Sequence, residues 1–392
     1  MTEWKTYKLS DICDLVAGFA FKSKDFGDYP DKVVKIADIQ PPTVNINDLV
    51  GVNLSAYNPS KLQKFIVSKE DYVLAMTGAT IGKLGRITNE VEAYINQRVL
   101  TFRPNESIVD KDYLYYQLCS VNFSKYILNH IDSETAQPNI SAGSVGGFEI
   151  SLPSLEEQRR IAGILGAIDD KIENNRRINA NLESQAQALF EEWFVNDNAK
   201  TAEYNKVALT DIANYLNGLA MQKFRPKDDE KGIPVLKIKE LGQGSCDSTS
   251  DLCSPSIDEK YIISDGDIVF SWSGTLLVDI WCGGTCGLNQ HLFKVTSDKY
   301  PKWFIYHWTK FHLAKFIRIA KDKAVTMGHI KRGDLESSEV LVPDSLLLEK
   351  YDNIMAPIFN AIISNRIENR NLATLRDTLL PKLMNGEIKV GE

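Results

Sequence analysis

The sequence predicts an α+β protein: two similar domains, each a small, mixed, β-rich sheet with helices, and two long helices that pair as an antiparallel coiled coil. Three observations carry this. The chain is written twice. Its domain-sized stretches hold short strand-like runs divided by Gly, Asn and Pro, and each copy closes on a long run with helical seam spacing. At 392 residues the chain has room for two or three domains of roughly 150 residues each.

The repeat begins with YKLSDICDLVAGFAF (7–21), which returns as YNKVALTDIANYLNGLAM (204–221), each with an L-[ST]-D-I step and a glycine, Gly18 and Gly218. VVKIADI (33–39) returns as VLKIKEL (235–241), and YVLAMTGATIG (72–82) as IVFSWSGTLLV (268–278). An Asn-Gln pair follows in both copies, Asn96-Gln97 and Asn289-Gln290, and then DYLYYQL (112–118) answers KWFIYHW (302–308). The offset drifts where loops differ and then holds at about 190 residues. This divides the chain into a first domain (1–150), a first long helix (151–200), a second domain (201–344) and a second long helix with its tail (345–392). The strand-like runs are VVKIADI, YVLAM and RVLTFRP in one domain and VLKIKEL, DIVFSW and HLFKV in the other.

The long helices follow from periodicity. Residues 155–195 contain no proline, and a 4-3 spacing runs through Leu165, Ile168, Ile172, Asn175, Asn179, Leu182, Ala186 and Leu189. The second copy reads Met355, Ile358, Ile362, Asn365, Asn369, Leu372, Arg376 and Leu379, with Pro357 placed to kink or reset its first turns. A rod of this length spans roughly 60 Å and carries too narrow a seam to stand alone. An antiparallel pairing sets Asn175 on Asn369 and Asn179 on Asn365, and buried seam asparagines specify register at a cost in stability. Ile168 facing Arg376 is the one poor match; the alternative leaves the asparagines facing solvent. Antiparallel rods relate the tandem copies by a pseudo-two-fold axis. That symmetry suits two readers on one duplex, at separations of about 34–36 Å or multiples of it.

Charge and motifs exclude several functions. The net charge is −7 and no block of the chain is basic, so binding to nucleic acid requires cations gathered on one face or supplied by a partner. No apolar run reaches the roughly 18 residues of a membrane span, MTEWKTYKLS is not a secretory leader, and six cysteines at unpaired spacings suit a reducing compartment; the expected location is the cytoplasm. Gly78–Lys83 falls one residue short of a P-loop, and Cys246, Cys253, Cys282 and Cys286 lack the tight pairs of a zinc site. No H-E-x-x-H, no G-x-S-x-G and no D-P-P-Y-like segment is present, so no catalytic residue, metal or cofactor is assigned.

The run LPSLEEQRRIAGIL…DDKI (152–172), with G-F-A-F (18–21), T-G-A-T-I-G (77–82) and Q-P-N-I (137–140), resembles the specificity subunit of Type I restriction-modification enzymes over nearly the whole chain. The second copy departs from it, with SGTLLV, MGHI and DSLLLEKYDNI in the matching places. The resemblance implies two target-recognition domains that read a bipartite, asymmetric sequence in double-stranded DNA, one half each. It also implies a non-catalytic scaffold for two modification subunits, which hold the S-adenosylmethionine, and through them for the restriction and translocase subunits. The alternative is a stand-alone DNA-binding protein or an enzyme using the same domains.

Candidate DNA contacts follow from residue chemistry: amides suit adenine, arginine and lysine suit guanine, and cations with hydroxyls suit phosphate. In the first domain these are Lys22, Lys24, Thr77, Thr80, Lys83, Arg86, Gln97, Arg98, Gln137 and Asn139. In the second they are Lys223, Arg225, Trp272, Ser273, Thr275, Gln290, His291, His329 and Lys331. The positions that differ between copies are the better specificity candidates, and the repeated Asn-Gln pair suits scaffold or backbone contact. The glycines of 77–82 serve either close approach to phosphate or a tight turn. At the helix ends, Glu156, Gln158 and Arg159 at one end and Phe190, Trp193 and Phe194 at the other either meet partner subunits or, for the aromatics, close the second domain.

Overall fold

The computed structural model describes residues 4–132, 138–196, 204–322 and 329–390. The chain forms two compact units, residues 1–169 with 375–392, and residues 170–374. Both are α+β.

In the first unit, a six-stranded sheet takes the order Cys13–Ala17, Val99–Pro104, Tyr72–Ala75, Leu84–Arg86, Thr43–Val44, Ile39–Gln40. A second, four-stranded sheet runs Val50–Val52, Phe26–Val34, Glu92–Ile95, Ile66–Ser68. It is mixed, since 92–95 pairs parallel with 26–34 and antiparallel with 66–68. The second unit repeats the plan with Asn214–Asn217, Leu292–Thr296, Ile268–Ser271 and Leu277–Ile280 in one sheet, and Leu252–Cys253, Ile233–Leu236, Cys286–Leu288 and Ile262–Ile263 in the other. Again one pairing, 235–236 with 287–288, is parallel. Strands buried on both faces explain the unbroken apolar runs: Tyr72 to Ala75 and Ile268 to Ser271 are all buried.

Two short helices, Lys111–Leu118 and Val121–Asn129, follow the first unit's sheets, with Ser120 Oγ accepting from the Phe123 amide (3.2 Å) to start the second. The second unit has a single helix, Lys302–Asp322, in the same place.

The long helices are Leu155–Phe194 and Ser345–Met384, 40 residues each. Both start on side-chain caps: Ser154 Oγ accepts from the Glu157 amide (3.2 Å) and Asp344 Oδ1 from the Leu347 amide (2.8 Å). The second helix is continuous through Pro357, so the ring does not reset it.

Within the second unit the helices are antiparallel, and the four asparagines meet in two layers. Asn175 Nδ2 donates to Asn369 Oδ1 (2.9 Å), and Asn365 Nδ2 donates to Asn179 Oδ1 (2.9 Å). The spare amide protons go to main-chain carbonyls, Asn179 Nδ2 to Ile362 O (3.1 Å) and Asn369 Nδ2 to Ile172 O (3.2 Å). Ala186, Leu189, Met355 and Ile358 join that unit's core.

In the first unit Leu165, Leu379 and Leu383 share a core. There Arg376 avoids Ile168 by reaching Asp169, Nη1 to Oδ1 2.8 Å, while Tyr116 OH donates to the other carboxylate oxygen at 2.8 Å.

The aromatic end of the first helix belongs to the second unit's core: Phe190 and Phe194 are buried, and Trp193 stacks on Tyr351 with centroids 3.9 Å apart. Gln158 is equally unavailable to a partner. Its Oε1 accepts from the Asp110 amide (2.9 Å) and its Nε2 donates to the Ile108 and Pro153 carbonyls. No helix among the described residues is long and apolar enough to cross a membrane.

Candidate nucleic-acid interface

Each unit builds the same three-way junction of main chain. In the first, the end of strand 72–75 sits between two other segments: the Met76 amide donates to Arg98 O (2.9 Å), and the Ile140 amide donates to Met76 O (3.0 Å). Thr77 and Asn139 face each other as an antiparallel bridge. In the second unit the Trp272 amide donates to His291 O (3.4 Å), the Ile330 amide donates to Trp272 O (3.2 Å), and Ser273 bridges His329. Residues far apart in sequence are thus gathered at one edge: Thr77, Thr80, Lys83, Gln97, Arg98 and Asn139 in one unit, and Trp272, Ser273, Thr275, Gln290, His291 and His329 in the other. Lys331 follows directly on His329 and Ile330. Gln137 lies outside the described residues.

Two repeated residues hold the junction. Gly18 packs so closely that a Cβ there would lie 2.2 Å from Asn96 O, and Gly218 is in the same position 2.2 Å from Asn289 O. Phe19 and Leu219, the residues after these glycines, bridge Asn96 and Asn289. Each asparagine then turns its side chain back onto the following main chain. Asn96 Oδ1 accepts from the Gln97 amide (3.0 Å) and Asn289 Oδ1 from the His291 amide (3.4 Å).

Within the junction the side chains divide by exposure. Thr77 and Ser273 are buried, and the Thr80 hydroxyl donates to Thr77 O (3.0 Å), bracing a turn whose Gly78 and Gly82 take φ of 69° and 81°. Gln97, Arg98 and Lys83 stand exposed, as do Thr275, His329 and Lys331.

Lys22 precedes the 3-10 turn Ser23–Asp25 and Lys24 lies within it, and Lys223 ends the turn Met221–Lys223 with Arg225 just beyond; all four are exposed. Among the described residues Lys22, Lys24, Lys83 and Arg98 have no ion-pair partner, which leaves their charge available to an anion.

Arg86 differs. It pairs with Glu70 and with Asp112 (2.6 Å) and lies 5.3 Å over the Tyr115 ring. Burial works against its charge, but Asp112 and Glu70 outweigh it and raise the pKa. A guanidinium held by two carboxylates offers no net charge to phosphate, so Arg86 is an internal brace.

In the second unit Trp272 is fixed rather than free: its Nε1 donates to Asn217 Oδ1 (2.9 Å) and its ring stacks on Phe293 at 5.7 Å. Asn217 escaped the sequence reading; its place beside the repeated Gly218 was the available signal. Gln290 Oε1 and His291 Nδ1 are buried without a hydrogen-bond partner. Such atoms are uncommon in folded proteins; Asn175 Oδ1 and Trp308 Nε1 are two more among the described residues. Among the described residues no group of three or more His, Cys, Asp or Glu could hold a metal ion.

The family model for the Type I restriction modification DNA specificity domain matches residues 1–184 and again 201–376. The chain belongs to this family. Among specificity-domain proteins, it is 28% identical over 344 residues to the Type I restriction enzyme MjaIX specificity subunit of Methanocaldococcus jannaschii, covering 82% of this chain and 78% of that one. It is 23% identical to the HindI specificity subunit of Haemophilus influenzae, over 99% of this chain and all of the other. The crystal structure of the Type I system S subunit from M. genitalium shares the specificity-subunit fold, with a TM-score of 0.60, 16% identity, and 97% and 96% of the two chains covered.

Proposed function

We propose that the chain is the DNA-reading, non-catalytic specificity subunit of a Type I restriction-modification complex. Each domain reads one half of a bipartite, asymmetric target in double-stranded DNA. The subunit scaffolds two modification subunits, which supply the S-adenosylmethionine and the methyl transfer, and through them the restriction subunits.

One observation carries this reading: the two units repeat a junction in the main chain, keep the Asn-Gln pair and a buried hydroxyl at Thr77 and Ser273, and change the side chains beside them. Arg98 becomes His291 and Asn139 becomes His329. A constant frame with variable outward groups is what two readers of different sequences require, since base edges are told apart by donor and acceptor pattern.

The test assembles the chain with its modification subunits and maps methylated positions on genomic DNA. Exchange of residues 1–150 for the same segment of another family member should alter one half of the target and leave the other. A change in both halves refutes domain-by-domain reading. Methylation or cleavage by the isolated chain refutes the non-catalytic role.

A further inference from the structure

Beside the Gln97–Arg98 turn, the first unit carries an open cleft of about 600 Å³ whose lining includes Phe19, Lys61, Lys64 and Phe65 and no carboxylate. Its floor is aromatic. Phe19 meets Tyr57 edge-on at 5.4 Å and Phe65 at 5.5 Å, and Phe65 and Leu62 are buried. Anchoring those two residues leaves Lys61 and Lys64 turned to solvent, and neither has an ion-pair partner among the described residues. Phe19 also connects the cleft to the junction, its amide donating to Ile95 O (2.9 Å) and its main chain bridging Asn96.

The matching segment of the second unit carries different side chains. Leu219 stands for Phe19, and PSIDEKYII (255–263) stands for PSKLQKFIV (59–67). Ile257 replaces Lys61 and is buried in a small core with Met221 and Cys253. Lys260 replaces Lys64 and is neutralised by Asp258 at 2.8 Å.

We propose that this cleft seats the sugar–phosphate backbone of the duplex held by the first domain, with Lys61 and Lys64 on phosphate oxygens and deoxyribose packed on Phe19. The matching segment of the second domain, with Ile257 buried and Lys260 paired to Asp258, offers no such pair of free lysines. The inference rests on the proposed DNA-reading function and adds an uneven grip between the two halves. Such contacts position the duplex without reading it. Each phosphate contact contributes about 0.9 to the slope of log affinity against log salt, so two contribute about 1.8.

The experiment measures binding of the chain, assembled with its modification subunits, to a duplex carrying its mapped target and to a scrambled duplex, from about 50 to 200 mM salt. Wild type, Lys61→Gln with Lys64→Gln, and Lys260→Gln are compared. The double variant should bind roughly tens-fold more weakly near 0.1 M salt, with a slope flatter by about 1.8 and an unchanged ratio of target to scrambled affinity. Lys260→Gln should match wild type. A double variant with wild-type slope overturns the proposal, as does one that loses discrimination or an equal effect from Lys260→Gln. If wild type itself prefers no target, the DNA-reading function fails and this inference with it.

Discussion

Replacing Gly18 with alanine tests the junction directly. The new Cβ would lie 2.2 Å from Asn96 O and 2.4 Å from Ile95 O. Both are main-chain atoms and cannot swing aside, and non-bonded contacts of this kind are forbidden below about 3 Å, so the segments must part by about 0.8 Å or more. That separation strains the Gly18 amide bond to Val99 O (2.8 Å) and the Phe19 amide bond to Ile95 O (2.9 Å). Two hydrogen bonds at about 1 kcal/mol each, with a further 1–3 kcal/mol for a buried group left unpaired, give about 3–5 kcal/mol. In a unit of this size the midpoint of thermal unfolding should fall by roughly 6–20 °C. The displaced segment is the Asn96–Arg98 turn, so recognition of the first half-site should fail while the second half-site is still read. Gly218→Ala, whose Cβ would meet Asn289 O at the same 2.2 Å, should produce the mirror result. Thermal unfolding together with methylation mapping of both variants decides the matter. Unchanged unfolding with both halves read as before, or one glycine impairing both halves alike, would refute the reasoning.

Two further outcomes are expected in the second unit. In a double-mutant cycle of Asn179→Ala and Asn365→Ala, followed by denaturant unfolding, the pair should show a coupling of about 1–2 kcal/mol, because each loss strands the other's amide; simple additivity would mean the layer is incidental. His307 is buried against Phe190, and burial lowers its pKa from 6.5 to about 4 despite the Nδ1 hydrogen bond to Trp303 O (2.7 Å). The unfolded chain takes up a proton that the folded one refuses, so stability is complete above pH 6.5 and falls between there and about 4, by up to about 3 kcal/mol. His307→Gln should flatten that dependence in urea titrations, and matching slopes for variant and wild type would sink the assignment.

The helices were legible because their signal is one-dimensional: a seam spacing, an Asn pair in each copy, and few breaks. The recurrence of Gly18 and Gly218 marked the junction for the same reason, since a position that tolerates no Cβ survives in both copies. Chemistry that depends on distant residues was not legible. Nothing near Arg86 announces that Glu70 and Asp112 fold onto it, and Lys61 and Lys64 read as ordinary surface lysines until Leu62 and Phe65 are seen to anchor the stretch between them. Trp193 and Phe194 presented the opposite difficulty. A helix end rich in aromatics reads equally as a docking surface or as core, and only the packing of Tyr351 against Trp193 decides. Pro357 warned of an interruption that the long helix does not show.

The first unit draws its last pieces from residues 375–392, where Leu383 and Met384 are buried in its core and Gly386 lies against Trp4. Translation therefore completes the two units out of order. Residues 170–374 are all available while the earlier-made unit still lacks part of its interior, so the apolar groove around Ile161 and Leu165 stays open to water, or to a chaperone, until that segment leaves the ribosome. A nonsense codon near 375 would spare the later-encoded unit and cripple the earlier one.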